Sequence, residues 1–596
     1  MPRMAAEGGF SGVFWLSGVD QPPPTASTHP FSTEDQCAQA HCTTTAPRRL
    51  QGSWYEAGPL GVALYGEIYN AAELSRHLGL APDEPLGQVL LTAWKRWSAG
   101  VLTRLNGVFA LALRNGNEWL LYRDPSGLRN LYVYTGCPGQ VAFATHLDTL
   151  FSLPGTERRL ASRSVHEYLR CLDIAAPNTL FEDVHAVEAG QCLQGSASSG
   201  LAATWPVANT ALAAPESFAQ AVEMLDCSLQ HSVERRLVDS ARPAAFLSGG
   251  IDSALLCALA SRARPDTTAV TVGFEGIAYD ETPVAQRIAA HLGMAHEVLR
   301  FDRQAYLAAF ERLVASLEQP MADPATLATL LVFEHCKSHY DTVIDGTGAD
   351  EAIGAMPARH VRLAVAYASR VPTGLRRHLT RWLSATPGLS AYTPILDFEH
   401  PADTLMRWHG FTRAEIERLC GESVSFAHTT FYRTFQRFPR GAHYDRYSAL
   451  LNAMPSDRLN QAMLISGMTV RFPFLDVETG GFIRQLRTDY RHLPAAPKRI
   501  LRTLLARYVP QQIWQAPKHG FNFPLQAFLM ADDAGLVRRH LDAGRWRASR
   551  LLSPALVQDC AQRFIAGDQR LTFRVWALVV LGAWLEKHRE LHRTDA

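Results

Sequence analysis

A strand that ends in Ser-Gly-Gly and passes at once into a helix constrains this chain more than any other stretch in it. The octet Phe246-Leu-Ser-Gly-Gly-Ile-Asp-Ser253 reads this way. Gly249 and Gly250 let the backbone approach an anion closely, and the start of the helix offers unpaired amides and the positive end of its dipole. Phosphate is the natural guest of such a turn. No Lys follows the glycines, so this is not the GxxxxGK[ST] loop of motor-type nucleotidases. The alternative is a tight strand-to-helix turn in which Asp252 or Ser253 serves only as a cap.

The text around the octet gives it a setting. A helix near 218–238, a strand near 244–247, a helix from Ser253 and a strand at 267–273 alternate as in a parallel α/β sheet. A second loop, Asp345-Gly-Thr-Gly-Ala-Asp-Glu351, follows the strand-like run Asp341-Thr-Val-Ile344. Ligands bind at that edge of open α/β sheets, where the adjacent carboxylates Asp350 and Glu351 are suited to a phosphate-bridging Mg²⁺. A solvated acidic turn is the other reading. Residues 359–470 read as mostly helical. Upstream, Gly61–Tyr65, Val108–Leu113 and Trp119–Tyr122 are short apolar runs between turn signals, and 89–99 has helical spacing. That describes a strand-rich first domain with a few helices. The Pro- and Ser/Thr-rich first 50 residues read as a flexible segment, and the low-charge stretch 196–215 as an interdomain linker.

Composition excludes several classes. The 58 Lys+Arg balance 57 Asp+Glu at a net charge of +1, which provides no global field for a polyanion and disfavours a nucleic-acid partner. No window approaches the roughly 20 apolar residues of a membrane span, and 575–585 reads as a buried helix. The N-terminus lacks the pattern of a secretory signal, so a cytoplasmic location is expected. Ten cysteines in 596 residues are too sparse for a disulfide scaffold. Cys37, His41 and Cys42 lack the spacing and the second ligand pair of a zinc site.

Both loops, in this order and about a hundred residues apart, resemble the synthetase domain of the asparagine synthetase family. The likeness extends to Thr271-Val-Gly-Phe274 beside the adenine, to Glu318-Gln-Pro-Met-Ala-Asp-Pro324, and to Asp457-Arg458 with Met463. It continues through Arg471-Phe-Pro-Phe-Leu-Asp476, Lys498–Arg502 and Pro517-Lys518-His-Gly-Phe521. In the first domain, Gly66-Glu-Ile-Tyr-Asn70, Arg104–Ala110, Arg123-Asp124 with Gly127, and Phe143-Ala-Thr-His146 are similar to the family's glutaminase domain. The resemblance implies an α/β protein. Residues 1–205 would be a glutaminase-like αββα domain of the N-terminal-nucleophile type. Residues 215–596 would be a PP-loop ATP-pyrophosphatase (adenine-nucleotide α-hydrolase) domain with helical additions.

The resemblance further implies ATP and Mg²⁺ as cofactors, with a carboxylate activated as an acyl-adenylate and an amine displacing AMP. Carried over residue by residue, Leu247, Ser248, Gly249, Gly250, Asp252, Ser253, Val272, Gly346 and Thr347 would bind ATP. Asp252 and Asp350 would hold Mg²⁺, and Lys518 would stabilise the charge that develops as the phosphate is attacked.

Departures from the family narrow the reaction. Thr347 stands where asparagine synthetases have Glu and β-lactam synthetases have Tyr, and a threonine hydroxyl is no base near neutral pH. An α-amine with a pKa of about 8 supplies its own neutral fraction. The glutaminase nucleophile, a cysteine directly after the initiator Met, is absent: the chain begins Met1-Pro2-Arg3, and the matching segment Gly9-Phe-Ser-Gly-Val13 has no Cys. Tyr65 replaces the family's substrate-binding Asn, and Leu86 the Asp that binds the glutamine amine. The first domain therefore reads as a degenerate glutaminase, and the amine comes from the substrate itself. That favours a lasso-peptide macrolactam cyclase acting on a ribosomal precursor peptide, with a leader peptidase and a leader-recognition protein as partners. The other readings are an ammonia- or glutamine-using asparagine synthetase, a β-lactam synthetase-like cyclase, and a nucleotide-binding scaffold.

Overall fold

In the computed structural model the described residues are 9–15, 38–43, 54–81, 83–196, 200–206, 214–273, 281–354, 410–437, 443–453, 457–493, 496–515 and 523–588. Between 354 and 410 they are 356, 363, 367–368, 370–385, 398, 400, 402–403 and 406. In the first half the strands are β1 (Gly9–Trp15), β2 (Ala38–Thr43), β3 (Tyr55–Ala57), β4 (Leu60–Ile68), β5 (Gly107–Asn115) and β6 (Glu118–Arg123). They continue with β7 (Tyr132–Tyr134), β8 (Gln140–Ala144), β9 (Val184–Ala186), β10 (Cys192–Ser196) and β11 (Gly200–Thr204). They form two antiparallel sheets, in the orders β2-β1-β8-β7-β9 and β11-β10-β6-β5-β4-β3.

Strand periodicity explains why these sheets stack. Both faces of β4 and β5 are apolar: Leu60, Val62, Leu64, Phe109, Leu111 and Leu113 face the helices Ala71–Leu78 and Leu86–Trp97, whereas Ala63, Tyr65, Ala110 and Ala112 face the other sheet. A sheet apolar on both faces must be covered on both. Phe10, Val133 and Phe143 supply the opposing surface. The outer face of that second sheet carries Tyr132 and Ala144 and packs on the helix Ser162–Cys171 and on helices of the second half. Helix, sheet, sheet and helix follow in layers.

Two expectations are corrected here. The first 50 residues contain β1 and β2, which pair antiparallel from Gly9 with Thr43 to Phe14 with Ala38. The stretch expected to be a linker begins with a hairpin, because β10 pairs with β11 from Cys192 with Thr204 to Ser196 with Gly200. Main-chain ladders need no apolar side chains at an edge, so the small and polar residues of the edge strands β2 and β11 hid them from a hydrophobic pattern. Cys37, the start Met1-Pro2-Arg3 and most of the Pro-rich segment lie outside the described residues.

The second half holds β12 (Pro243–Phe246), β13 (Thr268–Val272), β14 (His296–Leu299), β15 (Thr342–Ile344) and β16 (Val470–Arg471), all parallel, in the order β14-β13-β12-β15-β16. Alternate residues again divide the faces. Ala245, Ala269 and Ile344 meet the helices Phe218–Leu237 and Ile251–Ala263, and Ala244, Val270 and Val343 meet the helices Thr326–His339 and Arg458–Ser466. From β12 the chain moves to one side for β13 and returns to the other for β15. The crevice at such a reversal, outside the strands' C-terminal ends, is where α/β sheets bind ligands. The 575–585 stretch lies within the buried helix Thr572–Lys587, and no described helix is long and apolar enough to cross a membrane.

The halves are joined by buried charge. Arg471 at the end of β16 donates to both Glu67 oxygens at 2.9 Å and to Asp239 at 2.7 Å. Beside it Arg236 donates to Asp476 at 3.0 Å, both side chains being 1% exposed, and Asn106 of the first half donates to the same carboxylate at 2.9 Å. Asp476 also caps the helix Val477–Gln485. Burial alone would raise its pKa, but Arg236, Asn106 and Arg235 outweigh burial and hold it below the usual range. Removing one partner of such a pair leaves an uncompensated buried charge.

Asp476→Ala is expected to lower stability by about 3–5 kcal/mol, read from urea unfolding followed by tryptophan fluorescence, with Asp476→Asn milder because it keeps the cap. Since the folded pKa is depressed, this contribution is full above the unfolded pKa and is lost as pH falls through the folded one. An unchanged midpoint in Asp476→Ala would remove the pair from the account.

Candidate active site

The octet forms the turn between β12 and the helix Ile251–Ala263. Leu247 is buried and roots the turn: its amide donates to Val270 and its carbonyl accepts from the Thr271 hydroxyl at 2.6 Å. Ser253 accepts from the Ser248 amide at 3.0 Å, the two hydroxyls lie 2.9 Å apart, and Gly250 donates to the Ser248 hydroxyl at 3.1 Å. The serines thus brace the loop. No side chain caps the helix at Gly250. The helix start presents amides that suit an anion.

The second loop follows β15. Asp345 accepts from the Thr347 amide at 2.8 Å, and Glu351 reaches back to accept from the Gly348 amide at 2.9 Å. Glu351 is therefore occupied in shaping the loop, which corrects the expectation that Asp350 and Glu351 act as a pair. Gly348 has φ +99°, and a Cβ there would lie 2.6 Å from Leu475, so a side chain is excluded twice over. Gly346 lies against the phosphate turn, where a Cβ would stand 3.4 Å from Asp252 Cβ and from the Ser253 amide nitrogen. The two loops are in contact at this glycine. Val272 is the half-buried last residue of β13, and Phe274 of the same motif lies outside the described residues.

Lys498 joins the loops. Its ammonium lies 2.5 Å from Asp252 Oδ2 and 2.5 Å from Asp350 Oδ1. The lysine is largely buried, with its side chain 14% exposed, and burial would lower its pKa; the two carboxylates outweigh that and raise it. Its backbone φ is +54°, a conformation that costs a non-glycine residue about 1–2 kcal/mol. Sequence reasoning placed Lys498 within a matching segment but gave it no role. A signal was present, because only five of the 58 Lys+Arg are lysines. Where Arg is the default cation, a retained Lys marks a need for a compact point charge. Lys518, the lysine that was singled out, lies with 516–522 outside the described residues.

The donor set fits Mg²⁺ bound together with a nucleotide. Two hard carboxylates, one from each loop, converge on a single cation position, whereas no group of three His, Cys, Asp or Glu side chains placed to hold a metal ion occurs among the described residues. Mg²⁺ commonly takes one or two protein carboxylates and completes its shell with phosphate oxygens and water.

In the first half, Tyr65 is 7% exposed in the core between the sheets, with its ring 5.3 Å from His146 and Arg129 5.1 Å from its centroid. Leu86 packs into the helix layer. Glu67 is committed to Arg471, and Asn70 bonds the Arg104 carbonyl and the Asn106 amide.

The asparagine synthase sequence model matches residues 224–586, and a glutamine amidotransferase domain model matches 38–205. A putative glutamine-hydrolyzing asparagine synthetase of Mycobacterium tuberculosis (strain ATCC 25618 / H37Rv) is 27% identical, covering 87% of this chain and 83% of its own. Glutamine-hydrolyzing asparagine synthetase 1 of Bacillus subtilis is 24% identical, covering 89% and 86%. Carboxyethyl-arginine beta-lactam-synthase of Streptomyces clavuligerus is 26% identical, covering 60% of this chain and 69% of its own. The two stacked sheets are thus a glutaminase-type αββα domain, and the parallel sheet belongs to a PP-loop synthetase domain.

Lys498→Gln is expected to lower ATP-dependent AMP formation by about a hundredfold or more, the scale seen when one positioned electrostatic group is removed. Far-ultraviolet circular dichroism should be unchanged. Near-normal turnover by a folded variant would show that the lysine only fills space.

Proposed function

The chain belongs to the asparagine synthase family, ATP-dependent ligases that form carbon–nitrogen bonds through an acyl-adenylate, and on that premise we propose that it closes a side-chain carboxylate onto an amine of the same substrate, as a lasso-peptide macrolactam cyclase. The observation that carries this reading is the state of the first domain. Its matching N-terminal segment has no cysteine, and the aromatic Tyr65 and aliphatic Leu86 are built into core packing where a glutamine site needs Asn and Asp. A degenerate glutaminase delivers no ammonia, so the nitrogen comes with the substrate. The likeness to a beta-lactam-synthase supports ring closure as the reaction type.

In this reading a carboxylate oxygen attacks the α-phosphorus of ATP, and the bond to pyrophosphate breaks. The amine nitrogen then attacks the acyl carbon, AMP leaves with the bridging oxygen, and the amine proton passes to solvent. The Gly249 amide and the first amides of the helix Ile251–Ala263 hold phosphate oxygens, on a loop that the Ser248 and Gly250 amides brace through the serine hydroxyls. Lys498 and Lys518 place positive charge where negative charge develops on the phosphates. Asp252 and Asp350 are the residues that would hold Mg²⁺, which when bound neutralises the leaving pyrophosphate. Thr347 positions substrate, and no general base is needed for an α-amine. The substrate is a ribosomal precursor peptide, and a leader peptidase with its leader-recognition protein prepares it. The second reading, a glutamine- or ammonia-using asparagine synthetase, is favoured by the names of the relatives matched along most of their length.

The test compares AMP release with Mg-ATP and either glutamine plus aspartate or a leaderless peptide bearing an N-terminal Gly and an internal Asp or Glu. The peptide alone is expected to support release, and Asp252→Ala and Asp350→Ala are expected to abolish it. Asparagine and glutamate as products would replace this reading with the second.

A further inference from the structure

A cavity of about 1030 Å³ lies between the two halves. Its position follows from topology. Asp457 on its wall begins the helix that leads into β16, and Gln319 precedes the helix Thr326–His339 that leads into β15. In a parallel sheet a helix leading into a strand starts at the strands' C-terminal edge. The cavity therefore sits on the edge that carries both catalytic loops. Asn452, also on its wall, donates to the carbonyl of Glu351, the residue after Asp350, at 3.3 Å.

Size and lining define the guest. A pocket of this volume holds a ligand at the upper end of the drug-sized range, far larger than one amino acid. The lining is polar in a particular way: the side chains of Asn178, Gln319 and Asn452 each make one hydrogen bond within the fold, to Glu167, the Leu180 amide and the Glu351 carbonyl, and their other amide groups, with the Thr434 hydroxyl, are of the kind that pairs with a peptide backbone. Asp173 and Asp457 adjoin one another on one wall, with the Asp457 amide 3.0 Å from Asp173 Oδ2; Asp457 Oδ2 accepts from Asn130 and Gln461 and feels the charge of Arg123 on the same wall, but neither carboxylate is in an ion pair with a described cation. Asp173 is 3% exposed, and burial together with the neighbouring Asp457 carboxylate holds its pKa well above the usual range. Both Asp173 oxygens accept backbone amides, from Ile174 and Asp457, and an ammonium brought beside the pair would favour the ionised carboxylate that burial alone disfavours. Arg433 and the half-exposed Trp205 also line the cavity. Tyr65 and Leu86 do not, so the lining bypasses the positions of the former glutamine site.

We propose that this interdomain cavity is the peptide chamber: it takes a segment of several residues, with main-chain groups on Asn178, Gln319, Asn452 and Thr434 and the free N-terminal ammonium beside Asp173 and Asp457. The inference rests on the peptide-cyclase reading and adds to it the residues that hold the chain.

ATP–pyrophosphate exchange tests it with the full-length protein and the Gly-initiated peptide, in free and N-acetylated forms. Thr434→Trp, which fills the cavity from a helix surface, is expected to raise the peptide KM by about tenfold or more while leaving the ATP KM within about twofold. Asp173→Asn is expected to abolish the preference for the free over the acetylated peptide. A photo-crosslinking p-benzoylphenylalanine at position 205 should attach to the peptide in either case. Unchanged peptide KM in variants that melt like the parent, or no crosslink while exchange remains peptide-dependent, overturns the chamber and leaves the cyclase reading standing. Exchange supported by aspartate and by no peptide overturns both.

Discussion

Arg471 donates from the last residue of the edge strand β16 to Glu67 of the glutaminase-type domain and to Asp239 of the synthetase domain. The planar fork of the guanidinium does this by meeting Glu67 bidentately through Nε and Nη2 while Nη1 reaches Asp239. The five residues that follow complete the seam, since Pro473 turns the chain and Asp476 receives Arg236 and Asn106. The segment therefore fixes how the first domain sits on the C-terminal edge of the parallel sheet. Leu475 from the same segment packs against Gly348 and sets the loop that carries Asp350.

Lys498 is the counterpart of that seam inside the site. Asp252 and Asp350 come from loops on adjacent strands, and without a cation between them two partly buried like charges would repel. In the proposed reading the ammonium holds the position of a cation until phosphate and Mg²⁺ bind, so the loops are set beforehand. Preorganisation of this kind keeps reorganisation out of the chemical step. The strained backbone at Lys498 fits that role, because strain persists where the surrounding structure over-determines it.

Local chemistry was legible in the sequence and convergence was not. The strand, glycine turn and helix at 243–263 and the loop at 345–351 are each written in a few consecutive residues, and both lie where alternation of helix and strand put them. Glu351 was misread because its partner, the Gly348 amide, is a matter of loop geometry rather than residue type. Lys498 meets Asp252 across 246 residues, a distance no spacing rule spans. The edge strands β2 and β11, Ala38–Thr43 and Gly200–Thr204, were missed for a different reason, since small and polar residues at sheet edges carry no apolar period. Phe431, Tyr432 and Phe435 of Thr430–Arg437 are core, yet Thr434 and Arg433 of the same helix line a cavity that exists only when the halves meet.

The claim on which the account turns is that the new nitrogen belongs to the substrate. Reacting the protein with Mg-ATP and a Gly-initiated peptide in the presence of amide-¹⁵N glutamine, and weighing the product, tests it directly. The account predicts a peptide lighter by one water, with no ¹⁵N in it and the glutamine intact. A linear peptide carrying ¹⁵N as a side-chain amide, with glutamate released, would contradict it.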